Sequence, residues 1–356
     1  MATSTHVAIF VGSLFLFALL RSIGTCAWLP WINALLTSEN RGRYFANEQA
    51  ASGIAGVATL LLCSASLKYM PPYAAFCLQY TVAFVGSWFA LGALARLPDT
   101  ERPSALPLRE VVRQTPALLK RRGPFREFVL LGAFVGAAVA GIPPFCAYYL
   151  KVVPQVSASQ IVFYTTIQYL GVIVAATVIR SRMDRIGSRR FLLLSLGSYV
   201  LIAIFWIVLL RGWSGGLPWV AAVYFFVGIA AASWTAANMK YLPHVVAPES
   251  QALAFSVHSA VTSVASGLAP VAWGLSIRGA SEQPSVDVTA FGAFFWVALA
   301  TVVGAILLVV RLPAAAGASV EWPALAGFAL RPFRGMTSLA SLVLPHAETQ
   351  RENERR

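Results

Sequence analysis

Two apolar runs, at 161–179 and 191–210, are joined by the eleven residues Arg180-Ser-Arg-Met-Asp-Arg-Ile-Gly-Ser-Arg-Arg190, five of them arginine and one aspartate. Each run has about the ~20 residues a helix needs to cross a hydrocarbon core of ~30 Å. No water reaches the backbone there, so a run of this length must be helical, with each helix satisfying its own N–H and C=O groups. A basic turn between two such helices belongs on the cytoplasmic face. The pattern predicts a membrane hairpin with its turn in the cytoplasm.

The pattern recurs along the chain. Apolar segments at 7–35, 45–67, 73–94, 127–150, 158–179, 191–210, 217–239, 252–276 and 288–310 predict nine membrane spans, with no strand-like alternation to compete. Charged residues make up 12% of the chain and hydrophobic ones 58%, against about 25% charged in a soluble globular protein. The expected fold class is an all-α polytopic membrane protein. A net charge of +13 would suggest nucleic acid if it lay on a soluble face. Here the arginines sit in loops between apolar runs, and no nucleic-acid partner is expected. Cys26, Cys63, Cys77 and Cys146 lie in apolar segments without Cys-x-x-Cys spacing, and read as small buried hydrophobes. The N-terminus has no basic region ahead of its long apolar run, so the first segment reads as a span and not as a cleaved signal.

The charge asymmetry sets an orientation. Loops on the side of Asp184 hold Arg41 and Arg43, eight basic residues in 96–126, the five of 180–190, Lys240 and Arg311, seventeen together. The other side holds four: Lys68, Lys151, Arg211 and Arg278. The bias predicts a multi-pass protein of the plasma (inner) membrane with its N-terminus outside and its C-terminus cytoplasmic. In the tail, 312–356, an apolar patch at 324–344 is broken by prolines; a surface-lying segment and a disordered one both remain open.

A repeat is visible at a shift of 210 residues. Glu39 and Phe45 fall on Glu249 and Phe255, and Gly53 and Gly56 on Ser263 and Ser266, small residues spaced for close helix packing. The same shift carries spans 7–35, 45–67 and 73–94 onto 217–245, 255–277 and 283–304, where apolar spans also lie. The triplet at 127–210 has no counterpart under this shift, since it would end at about residue zero.

Asp184, Arg185, Gly187, Arg189 and Arg190 resemble the basic inter-helix signature of major facilitator superfamily transporters, with Arg180 standing where that family has its first glycine. Arg41-Gly42-Arg43 resembles the Arg-Gly-Arg before the family's fifth helix, and Arg21-Ser-Ile-Gly24 its fourth-helix arginine. Pro248-Glu249 and Gly267-Leu-Ala-Pro270 resemble the corresponding region of the second half. The resemblance implies a major-facilitator-like bundle built from parallel six-helix repeats, with this chain matching helices four to twelve of twelve. It divides the chain into 1–95 (three spans of the N-terminal half), 96–126 (a basic cytoplasmic linker), 127–311 (the six-span C-terminal half) and 312–356 (a cytoplasmic tail).

The resemblance also implies secondary active transport of a small solute by alternating access, with a coupling proton or other ion, in contact with membrane lipids. Its cavity helices map to 7–35, 127–150 and 217–239, whose candidates are Arg21, Trp28, Asn33, Tyr148, Trp234 and Asn238. Asp184 would face the start of the second span near Arg43, as a lock on the cytoplasmic side, where free N–H groups favour an anion. Arg21 at membrane depth reads equally as functional or structural. His258 reads as a packing histidine ahead of a titrating one, and Pro143-Pro144 should break the fourth span. With four histidines, no His-Glu-x-x-His, no Gly-x-Ser-x-Gly and no acidic pair inside a span, no catalytic residue, metal or cofactor is expected. The absent triplet leads to the expectation that the chain alone transports little. The alternative reading is a non-transporting membrane scaffold or regulator.

Overall fold

The computed structural model describes residues 41–98, 123–246, 250–280 and 288–313, with scattered positions between 5 and 35 and at 113, 116, 119 and 120. At 41–43, 45–46, 180–186, 214, 251–252, 276–280 and 288–290 the description is of the backbone alone. The helices are α1 (Arg41–Tyr69), α2 (Pro72–Leu94), α3 (Pro124–Val139), α4 (Ile142–Val152), α5 (Ala158–Ile186), α6 (Ser188–Leu210), α7 (Val220–Tyr241), α8 (Gln251–Ala280) and α9 (Val288–Arg311). No strand occurs among the described residues. Pro72 and Pro124 open α2 and α3, at the one helical position where a fixed φ helps and the missing N–H costs nothing.

Among the described residues, seven segments are long and apolar enough to cross a membrane: Asn47–Tyr69, Pro72–Leu94, Pro124–Val152, Ala158–Ile179, Ser188–Leu210, Gly215–His244 and Phe291–Arg311. The expected span at 252–276 corresponds to α8, which is 30 residues long but carries five serines, a threonine and a histidine. The expected span at 7–35 falls largely outside the described residues. Where it is described, it is helical.

The structure refines two local readings. The segment 180–190, expected as a loop, is almost wholly helical: α5 continues through Ile186 and α6 begins at Ser188. Only Gly187 leaves the helix, with a φ of 85° that a residue with a Cβ rarely adopts. Past the membrane surface the charged residues simply prolong the helix, so the chain reverses at one glycine. The span at 127–150 is in turn two helices. It breaks at Ala140–Gly141, directly before Pro143-Pro144, whose missing N–H groups would leave the carbonyls a turn earlier without donors.

The spans α3 to α9 form one bundle. Its core is aromatic: Trp206 stacks on Phe295 at 5.7 Å, Phe145 meets Phe294 at 4.9 Å, and Tyr149 packs edge-on against Trp206. Apolar side chains gain nothing by leaving lipid, so the bundle is held by close packing and interhelical hydrogen bonds. One such bond is buried, from the Ser195 hydroxyl to the Ala230 carbonyl across α6 and α7 at 2.7 Å. At the end away from Gly187, exposed Tyr69, Tyr73, Trp213 and Trp219 sit where aromatic residues mark a lipid–water boundary.

The tightest crossing is between α5 and α7. A Cβ on Gly171 would lie 2.1 Å from the Phe225 carbonyl oxygen, and one on Gly228 would lie 1.9 Å from that of Gln168. Each glycine thus admits the other helix's backbone, and backbone cannot swing aside as a side chain can. Gly171→Ala and Gly228→Ala should each destabilise the protein by about 1–3 kcal/mol, the usual scale of overpacking. Gly197→Ala, where a Cβ would meet nothing within 4 Å, should not. Thermal unfolding of the three variants in detergent checks the contrast.

Candidate functional site

The bundle meets the N-terminal helices along one seam, where α1 lies antiparallel to α5. A Cβ on Gly53 would meet the Ile173 side chain at 2.6 Å, and one on Gly56 the Tyr169 ring at 2.4 Å. The glycines are three positions apart, so both face α5, and their lack of side chains lets Ile173 and Tyr169 fill the groove. Nearer the Tyr69 end, Ser64 and Ser159 exchange hydrogen bonds: each hydroxyl donates to the other's carbonyl, at 3.0 and 2.9 Å. Helix α5 is therefore held on one side by α1 and on another by α7.

The register of this seam bears on the gating residues. Counting residue for residue from the Gly53–Ile173 contact carries position 184 to about position 42, at the start of α1. The side chains of Asp184, Arg185 and Arg43 lie outside the described residues. Gly187 supplies the turn. The Arg189 guanidinium donates to the Val310 carbonyl in the last turn of α9, where a cation is favoured by about 0.3–1 kcal/mol. Tyr241, closing α7, donates its hydroxyl to the Pro313 carbonyl at 3.0 Å. Both Arg189 and Glu127, the latter in the first turn of α3, lie within electrostatic reach of Tyr241. Arg189 thus links the start of α6 to the end of α9, and Tyr241 links the end of α7 to Pro313 just past α9. Arg190 is half-buried beside it.

Of the expected cavity residues, Arg21, Trp28 and Asn33 lie outside the described residues. Trp234 and Asn238 come together one turn apart on α7: the Asn238 amide donates to the Trp234 carbonyl at 2.9 Å. Asn238 is buried, and its Oδ1 has no hydrogen-bond partner among the described residues. Tyr148 is not brought to them. It is half exposed at the other end of the bundle and stacks on Phe291 of α9 at 5.8 Å. His258 of α8 stacks on Phe128 at 5.2 Å and faces Gly132. One turn further along, a Cβ on Gly136 would meet the Ser266 hydroxyl at 2.5 Å, so α3 and α8 pack through the small residues of both. Ser263, paired with Ser266 by the repeat, is exposed.

Sequence reasoning missed Ser64–Ser159, Gly171–Gly228 and Tyr241. The glycines left a legible trace, since each lies near the middle of an apolar run. Single serines and a tyrosine at a helix end are too common to single out.

A multi-pass helical membrane protein with a helical bundle, one broken span and a glycine-and-serine seam to a preceding helix is the class these features define. Residues 128–344, well over half the chain, match the model of the Major Facilitator Superfamily, and the chain belongs to that family. Among solved structures it is similar to a crystal structure of a bacterial homologue of the iron transporter ferroportin in its outward-facing state. The identity is 16% and the TM-score 0.55, over 78% of this chain and 65% of that one. The chain therefore spans just under two-thirds of that chain's length, and at this identity the likeness concerns the fold. No curated protein matches the sequence.

Tyr241→Phe removes the bond to Pro313, and Arg189→Gln the charge on Val310. Each should speed backbone hydrogen exchange at 309–313 by several-fold, while Tyr148→Phe should leave that segment unchanged. Exchange mass spectrometry on the purified protein reads the difference.

Proposed function

We propose that the chain works as a secondary active transporter of a small solute, moving it by alternating access without changing it chemically. The observation that carries this reading is the seam between α1 and α5. Two bodies that rock about a midplane site need a contact that is close, small-residued and able to separate, and side-chain-poor packing with a reciprocal serine pair suits that need. The broken span supports the reading too, because the Ala140–Gly141 break lets α4 tilt independently of α3. Trp234 and Asn238 are the residues proposed to touch solute, with Arg21, Trp28 and Asn33 added from the sequence. Asp184 at the start of α1 is proposed as the lock, its carboxylate accepting from the first free N–H groups of that helix. The orientation proposed is that of the basic bias: basic ends in the cytoplasm, N-terminus outside, in the plasma (inner) membrane, with a proton or another ion as the coupling species.

The solved relative's cargo is not carried over. That structure is of a homologue of an iron transporter, and among the described residues no three His, Cys, Asp or Glu side chains gather at one place.

The test is a double cysteine variant, Ser64→Cys with Ser159→Cys, reconstituted into vesicles. Uptake would be screened over amino acids, sugars, organic cations and divalent metals, with and without an imposed proton gradient. Transport of at least one class should stop when the disulfide is formed and return on reduction. Uptake that continues through the closed disulfide would show that the seam does not move. No uptake of any class would favour the scaffold reading.

The lock has its own check. Cysteines at 184 and 43 should crosslink more efficiently than cysteines at 184 and 113; equal yields would remove Asp184 from the seam.

A further inference from the structure

Among the described residues, helix α2 packs little against the rest. Only 6% of its spanning window is buried, against 50% for α6, and among its residues only Ala75 is fully enclosed. It touches α1 near their shared turn, where the Gln79 amide donates to the Ser66 hydroxyl at 2.9 Å. The other end of α2 carries a groove of about 390 Å³ lined by Val85, Trp88, Phe89, Gly92, Ala93 and Arg96. These six recur at helical spacing along one face. Gly92 makes that face concave: a Cβ there would meet nothing within 4 Å. Trp88 and Phe89 are 63% and 77% exposed, so the apolar wall is open to whatever surrounds the helix.

We propose that this groove is a binding site for one anionic phospholipid, with an acyl chain along Val85, Trp88, Phe89 and Gly92 and the phosphate at Arg96. Depth and charge both select this occupant. Arg96 follows the last helical turn, and Trp88 lies eight residues back, about 12 Å deeper along the axis. That is within the ~15 Å half-thickness of a hydrocarbon core. A chain whose head is held at Arg96 therefore runs past Trp88. Arg96 also opens the stretch 96–126, which carries eight basic residues against three acidic ones. A juxtamembrane cluster of this kind attracts anionic headgroups by about 1 kcal/mol per cation near the surface. Leu268, Val271 and Leu275 on α8 form another exposed apolar face, followed by Arg278, but the loops on that side hold four basic residues against seventeen on the side of Arg96. The proposal is independent of the transport reading, because the site lies on the outside of α2 and its test measures no transport.

The experiment uses the full chain in vesicles of phosphatidylcholine containing increasing amounts of brominated phosphatidylglycerol or brominated phosphatidylcholine. Quenching that depends on Trp88 is the difference between the chain and its Trp88→Phe variant. The anionic lipid should reach half of its maximal Trp88 quenching at a mole fraction at least three-fold lower than the zwitterionic lipid. Arg96→Gln should abolish the preference and Arg96→Lys keep it. Gly92→Leu, which fills the groove and favours the helix, should reduce quenching by both lipids while the protein stays folded by circular dichroism. Inorganic phosphate added to the buffer should not displace the lipid. The proposal is overturned if the two lipids quench Trp88 alike, if Arg96→Gln keeps the preference, if free phosphate competes, or if neither lipid quenches, which would mean that another part of the protein covers this face.

Discussion

Close approach of helix backbones at α5 is the constraint on which the bundle depends. Lipid is as apolar as leucine, so a helix in a membrane gains little by hiding apolar side chains, and association must come from contact that lipid cannot match. Gly171 and Gly228 supply it on one side of α5 by letting two backbones nearly touch. Gly53 and Gly56 supply it on the other, where Ile173 and Tyr169 enter the space. The polar contacts that lipid cannot provide, Ser64 with Ser159 and Ser195 with Ala230, lie beside the same crossings. One helix thus joins α1 to the rest of the bundle.

The two ends of the bundle are held differently. At the Gly187 end a cation and a phenol donate to the carbonyls of Val310 and Pro313, where α9 finishes. At the other end the contacts are aromatic and cation–π, with Arg211 over Trp296 at 5.6 Å and Lys68 over Tyr69 at 5.0 Å. A helix C-terminus with unpaired carbonyls needs donors, and Arg189 and Tyr241 answer that need inside the folded unit. The arginine signature divides at Gly187: its first part, around Asp184, prolongs α5, while its last part, at Arg189, donates to the end of α9.

Much of this architecture was legible in the sequence, because run length and charge bias are written in composition alone. Span boundaries at Pro72, Pro124 and Gly187 follow from proline and glycine geometry, and the break before Pro143-Pro144 follows from the missing N–H groups. The faces were not legible. A span that is apolar on every side gives no periodic signal for its buried stripe, so Tyr148 and Trp234 looked alike. Only the structure separates a half-exposed Tyr148 on Phe291 from a Trp234 paired with a buried Asn238. The seam partners were hidden for the same reason. Gly53 and Gly56 declare that something comes close, but not that it is Tyr169. The repeat pointed to Ser266 correctly and to Ser263 incorrectly, since a three-residue spacing fixes a face only as narrowly as the partner helix is straight.

The contrast between α5 and α2 follows from one physical rule. In water an apolar helix with 6% of its spanning window buried would collapse onto its neighbours or aggregate. In hydrocarbon it is satisfied, since its backbone bonds are internal and its side chains are already solvated by lipid. What fixes such a helix is its ends. One end of α2 is tied to α1 through Gln79 and Ser66. The other end, at Arg96, opens the basic stretch 96–126. Glycine contacts thus set the position of α5, whereas α2, among the described residues, is anchored at its α1 end and otherwise faces lipid. A displacement of α1 would carry α2 with it without breaking a packed core.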